Sequence, residues 1–142
     1  MIGFTRTVLG ALTLTAMTAL PAVAQDTRPN ILVVLFDDVG FTGFGAYGGD
    51  ARTPTIDALA QSGTLFSRYY SSPFCGPSRA MLVTGLTNHQ TGMGTLVETV
   101  TPEQRELPGY SMVWDADQAT IASLLSEAGY QTYVTGKWGI GA

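Results

Sequence analysis

Cysteine occurs once in the 142 residues, at position 75, which excludes an internal disulfide framework and any zinc or iron–sulfur centre built from several thiolates. A single thiol with chemistry of its own is what that scarcity leaves open. Charge is also sparse, at 13% of residues, and seven scattered basic side chains face eleven acidic ones, for a formal net charge of −4. This argues against nucleic acid as a partner and against a polybasic membrane patch. Beyond the first 24 residues no apolar run approaches the roughly 20 residues that span a bilayer. Apolar residues are nevertheless plentiful, at 45%, so the chain reads as globular and as one compact domain at most.

Residues 1–24 have the character of an export signal. Arg6 is the only charge before Asp26, the stretch from Val8 to Leu20 is apolar and small, and Ala22-Val23-Ala24 supplies the A-x-A pattern that precedes cleavage. A membrane anchor is the alternative, but the run is broken by threonines and Pro21. Cleavage near Ala24 is therefore expected, giving a periplasmic or secreted protein with no stable membrane anchor. Residues 25–29 form a short polar spacer, and 30–142 the folded part.

In that part, strand and helix signals alternate. Asn30 to Phe36 is a continuous apolar run, expected to be a strand buried on both faces. Thr53 as N-cap and Pro54 at the first position open a helix whose Ile56, Leu59 and Ala60 share a face and which Gly63 closes. Thr64 to Tyr70 predicts a second strand. A helix from Ser78 toward Thr84, stopped by Gly85, follows the turn-rich segment Ser71 to Pro77. Asn88 to Tyr110 shows no lasting periodicity and is expected to be a surface excursion. Asp117 then reads as the N-cap of a helix carrying Ile121, Leu124, Leu125 and Ala128 on one face, with Gly129 as its stop, before a third strand from Tyr130 to Thr135. This order predicts an α/β fold with a mostly parallel sheet flanked by helices, in which ligands bind beyond the carboxyl ends of the strands. Asp37, Asp38 and Lys137 would fall on that edge.

Two places carry chemistry. Asp37 and Asp38 sit side by side after an apolar strand, where a hard cation with oxygen ligands would hold both ionised; a solvated turn would also account for them. Cys75 lies in Ser72-Pro73-Phe74-Cys75-Gly76-Pro77-Ser78-Arg79, just before a helix, where unpaired N–H groups and the positive end of the dipole favour an anion. Arg79, four residues on, would reach back toward Cys75 and offer a fixed positive charge to a tetrahedral oxyanion. A lone cysteine is often only a small buried hydrophobe, but a proline-flanked polar turn suits that role poorly.

Cys75-Gly76-Pro77-Ser78-Arg79, trailed by Thr84-Gly85, resembles the C-x-P-S-R signature of the sulfatases. The resemblance extends to Arg28-Pro29-Asn30 with Asp37-Asp38, to Thr53 through Ala60, to Asn88-His89-Gln90-Thr91-Gly92-Met93-Gly94 and to Gly136-Lys137-Trp138, in the same order along the chain. It is nearest to bacterial arylsulfatases and to the alkaline phosphatase superfamily that contains them, and it implies an N-terminal portion of a catalytic domain, here truncated.

The resemblance implies hydrolysis of small sulfate esters. Cys75 would be converted to formylglycine by a separate maturation enzyme. By the same resemblance, one hydroxyl of the hydrated aldehyde would attack sulfur and expel the alcohol or phenol, and the other would then lose its proton and collapse the hemiacetal, ejecting inorganic sulfate and restoring the aldehyde. On the same basis Asp37, Asp38 and the modified residue 75 would ligate Ca²⁺, with Mg²⁺ the less favoured ion, Arg79 would support the nucleophile, and Lys137 would neutralise the sulfate oxygens. A phosphate or phosphonate ester hydrolase of the same superfamily and an inactive remnant are the competing readings. Where the family continues Gly-Lys-Trp with His, Trp138 is followed here by Gly139. His89 is expected to have a structural hydrogen-bonding role.

Overall fold

The computed structural model describes residues 28–141, so the predicted export signal and residues 25–27 of the spacer lie outside the described residues. The chain divides into two units, Met1–Val34 and Leu35–Ala142. Of the first, residues 28–34 are described; they carry no regular secondary structure, and Ile31, Leu32, Val33 and Val34 are exposed.

The second unit begins with a loop that turns through two short 3-10 segments, Phe41–Gly43 and Gly45–Tyr47. Four helices follow: α1 (Pro54–Ser62), α2 (Cys75–Thr84), α3 (Pro102–Arg105) and α4 (Ile121–Glu127). Among the described residues no strand is formed, so the predicted sheet is not confirmed there. The segments 30–36, 64–70 and 130–135 are irregular. A strand exists only through the ladder it shares with a neighbour, and β-branched propensity does not supply that partner. The apolar side chains that prompted the expectation stand in solvent, with Leu32 87% and Tyr133 90% exposed.

The helices depart from expectation at their starts. Thr53 occupies the N-cap position of α1 but does not cap it; its Oγ1 donates to Asp57 Oδ1 at 2.9 Å and accepts from Gly45 N at 2.9 Å. Asp57 Oδ1 also accepts from Ala46 N at 2.8 Å, so this carboxylate fastens the 3-10 turn to α1. On the predicted apolar face Ile56 and Ala60 are half-buried while Leu59 is exposed. Helix α2 begins at Cys75, three residues before Ser78, because Pro77 within the first turn needs no hydrogen-bond donor there. Gly85 ends it as expected, in a left-handed conformation, with its N–H donated to Met81 O at 2.8 Å. Helix α4 is capped by Thr120 and not by Asp117: Thr120 Oγ1 accepts from Ser123 N, and Ser123 Oγ accepts from Thr120 N.

The expected surface excursion instead supplies part of the core. Met93 is buried with Ala80, Met112 and Ile140, and Val83, Val100, Tyr110 and Trp114 pack around them. The turn that holds Met93 is closed by Met93 N–H donating to Asn88 O at 2.8 Å and Met112 N–H donating to Gly92 O at 3.1 Å. Helix α3, also in this stretch, carries a capping box between Thr101 and Gln104 that the pattern-based reading missed. Because Ala80 belongs to α2 and Ile140 follows Lys137 by three residues, this core brings the two segments that bear the candidate site together.

Candidate active site

Cys75 is the first residue of α2 and is half-buried. One helical turn later Arg79 extends along the same face, its side chain only 12% exposed. Its Nη1 donates to the carbonyl oxygen of Lys137 at 2.6 Å, and its Nη2 lies 3.5 Å from Asp37 Oδ1. Arg79 Nε is buried without a hydrogen-bond partner. Lys137 Nζ donates to Asp37 Oδ2 at 2.7 Å and approaches Cys75 Sγ at 3.4 Å. One ammonium therefore joins the thiol to the carboxylate, and four residues drawn from three distant stretches of sequence meet at the head of α2.

Each is held from outside the cluster. Phe36, preceding Asp37, packs edge-on against Phe44 with ring centroids 5.1 Å apart, and Phe41 meets Tyr47 at 4.1 Å. Tyr47 in turn donates its hydroxyl to Phe66 O at 3.0 Å. Trp138, next to Lys137, packs edge-on against Trp114 at 5.8 Å. Ser78 Oγ donates to Ser72 O at 2.8 Å, tying the turn before Cys75 to the first turn of α2.

The hydrogen bond from Lys137 is the main cause that holds the Asp37 carboxyl below its ordinary pKa of 3.8, helped by the charges of Lys137 and Arg79. The same bond, followed by the contact with Cys75, raises Lys137 above its ordinary 10.5. Both groups are charged across the neutral range. Asp38, predicted as the second carboxylate, follows with a left-handed φ of 56° and is exposed. Among the described residues no group of three or more His, Cys, Asp or Glu side chains is assembled to hold a metal ion. Both Asp37 carboxylate oxygens face cationic side chains, Oδ2 the Lys137 ammonium and Oδ1 the Arg79 guanidinium, so in this arrangement its charge is met by protein cations and not by a metal shell.

His89 has both ring nitrogens engaged, which sequence alone could only suggest. Asn88 Nδ2 donates to Gly94 O at 3.3 Å, which turns its Oδ1 toward His89 Nδ1 at 3.2 Å. Nδ1 is therefore the donor, and in the neutral ring Nε2 accepts from the Tyr110 hydroxyl at 3.1 Å. Nothing in the sequence pointed to Tyr110, 21 residues away.

The Sulfatase family profile matches residues 29–141. This chain belongs to the sulfatase family. It is 38% identical over 118 residues to an arylsulfatase of Klebsiella aerogenes, covering 83% of this chain and 25% of that protein. It is 38% identical over 121 residues to human steryl-sulfatase, covering 81% of this chain and 20% of that protein. Human N-acetylgalactosamine-6-sulfatase is 40% identical over 119 residues, with 80% and 22% covered. The sulfatase chain thus spans a fifth to a quarter of the length of these curated relatives.

Proposed function

We propose that this chain carries the nucleophile-bearing part of a sulfuric ester hydrolase of arylsulfatase type, and that Cys75 is the precursor of its formylglycine nucleophile. The observation that carries the reading is the convergence of Asp37, Arg79 and Lys137 on Cys75 at the head of α2, within the C-x-P-S-R sequence.

Lys137 is placed to receive non-bridging oxygens of a sulfate presented at residue 75, since its ammonium lies 3.4 Å from Sγ and carries a fixed charge. Arg79 acts through its two arms, one on the Lys137 carbonyl and one toward the Asp37 carboxylate, and so holds the acceptor and the anion-binding cation in register. Asp37 and Asp38 would hold Ca²⁺, or less favourably Mg²⁺, with residue 75 facing the ion; the metal would supply Lewis-acid polarisation of the sulfate and of the nucleophile. A formylglycine at 75 would supply two hydroxyls on one carbon, one to attack sulfur and one to allow release. A maturation enzyme must then act on Cys75. Export with cleavage near Ala24, to the periplasm or outside the cell, is part of the same reading and rests on Ala22-Val23-Ala24. The apolar segments 30–36, 64–70 and 130–135 are proposed to form parallel strands of the α/β sheet in the full protein, which accounts for their exposure here.

The test is the full-length protein, coexpressed with a formylglycine-generating enzyme and assayed on paired aryl sulfate and aryl phosphate esters. Peptide mass spectrometry should find an aldehyde at residue 75, and the sulfate ester should be the better substrate. Cys75→Ala should abolish turnover, as should calcium removal by a chelator. An intact thiol with unchanged turnover in Cys75→Ala would end the formylglycine reading. Preference for the phosphate ester would move the protein to the other branch of the superfamily.

A further inference from the structure

We infer that Gly76 and Gly139 are positioning residues for Lys137: their close backbone approach sets the depth at which the ammonium sits between Asp37 and Cys75. This rests on the sulfatase reading above for the role of Lys137, but the contact itself stands on geometry. A Cβ built on buried Gly76 would lie 2.8 Å from the carbonyl oxygen of Gly139 and 3.5 Å from Leu96 Cδ2. The first is a backbone atom, so any side chain at 76 must push the 137–139 segment away. Just beyond, the chain is anchored: Ile140 is buried in the core beside Ala80, Met93 and Met112, and a Cβ at Gly141 would stand 3.2 Å from Trp114 N and 3.4 Å from Met112 O, both backbone atoms, so the shift is concentrated at 137–139.

Displacement is therefore passed to Lys137, whose carbonyl is held by Arg79 Nη1 at 2.6 Å and whose Nζ reaches Asp37 at 2.7 Å. Gly139 turns the chain with a φ of +62°, a conformation that β-branched residues avoid and asparagine tolerates. Space is not the constraint at 139, because a Cβ there would make ordinary contacts of 3.4 Å to Lys137 Cε and 3.6 Å to Arg79 Cδ. The two glycines thus act differently: one permits the approach and the other permits the turn.

Three variants of the full, matured protein separate these roles: Gly76→Ala, Gly139→Asn and Gly139→Val. Alanine is a better helix former than glycine, so Gly76→Ala should keep α2, while the clash with Gly139 O should lower the thermal midpoint without unfolding the protein. Its KM for an aryl sulfate should nevertheless rise about tenfold while kcat changes less than about threefold, because a sulfate-binding charge has been moved and the nucleophile has not. Crystals of the metal-free Gly76→Ala protein should show Lys137 Nζ beyond about 3.5 Å from Asp37, past hydrogen-bond range. Gly139→Val should raise KM similarly, and Gly139→Asn should restore it. An unmoved Lys137 with unchanged KM in Gly76→Ala overturns the inference. If Gly76→Ala does not fold, equal KM values for Gly139→Asn, Gly139→Val and wild type overturn it. A wild-type protein without aryl sulfate turnover refutes the sulfatase reading instead, and the position of Lys137 in the Gly76→Ala crystal then decides the positioning role alone.

Discussion

Asp37 is the residue on which two cations converge, and its behaviour with pH follows from them. Its folded pKa is depressed, so its share of stability is present above the ordinary value of 3.8 and is lost as pH falls through the lower folded value. The raised Lys137 behaves oppositely: its share is present below 10.5 and is lost as pH rises through the higher folded value. Between those limits the pair contributes no pH dependence. Lys137→Met should move the Asp37 carboxyl back up toward 3.8 in an NMR titration of the metal-free protein, and a depressed value that persisted would mean that Arg79 alone sets it. Arg79→Lys should lower kcat/KM by roughly 10- to 100-fold, since an ammonium cannot bridge the Asp37 carboxylate and the Lys137 carbonyl at once. Steady-state kinetics on an aryl sulfate would measure this, and a loss under threefold would remove Arg79 from the positioning of the site.

Short elements depend on their ends. Helix α4 has seven residues, none of them buried, so its stability rests more on its cap than on packing. Thr120→Ala removes the oxygen that accepts from Ser123 N and should cost about 1 kcal/mol, seen as faster amide exchange at Ile121 through Leu124. Asp117→Ala should leave those amides unchanged, because Asp117 lies outside the cap. Residue type alone points to Asp117 as the cap, yet Thr120 with Ser123 three residues on is an equally legible capping pair. Spacing to the first apolar residue, Ile121, decides between them, since the cap precedes the first helical residue directly.

Among the described residues of the molecule the buried apolar core is small, Ala80, Met93, Met112 and Ile140, while Leu65, Phe66, Tyr69, Tyr70, Tyr133 and Val134 are exposed in the same unit. Residues 28–141 expressed alone should therefore bind a hydrophobic dye, self-associate and unfold without a sharp calorimetric transition. A monomer with one cooperative transition would show that the four-residue core and its surrounding side chains suffice.

Much of the candidate site was legible in the chain itself. Cys75 and Arg79 are four apart, and that spacing places them on one helical face wherever the helix sits. Helix stops such as Gly85 were legible too, because a left-handed cap is a local requirement that few residue types meet. Lys137 and Asp37 were assigned to one edge through the expected strand topology and to one site through resemblance, since 100 residues separate them and no local rule spans that distance. Tertiary structure alone decided that Lys137 touches both the carboxylate and the thiol, that Arg79 grips a carbonyl, and that Met93, in a stretch without periodicity, is core. The predicted strands failed to appear among the described residues for the same reason: helices satisfy their hydrogen bonds internally, whereas strands and ion pairs exist only when a distant partner arrives.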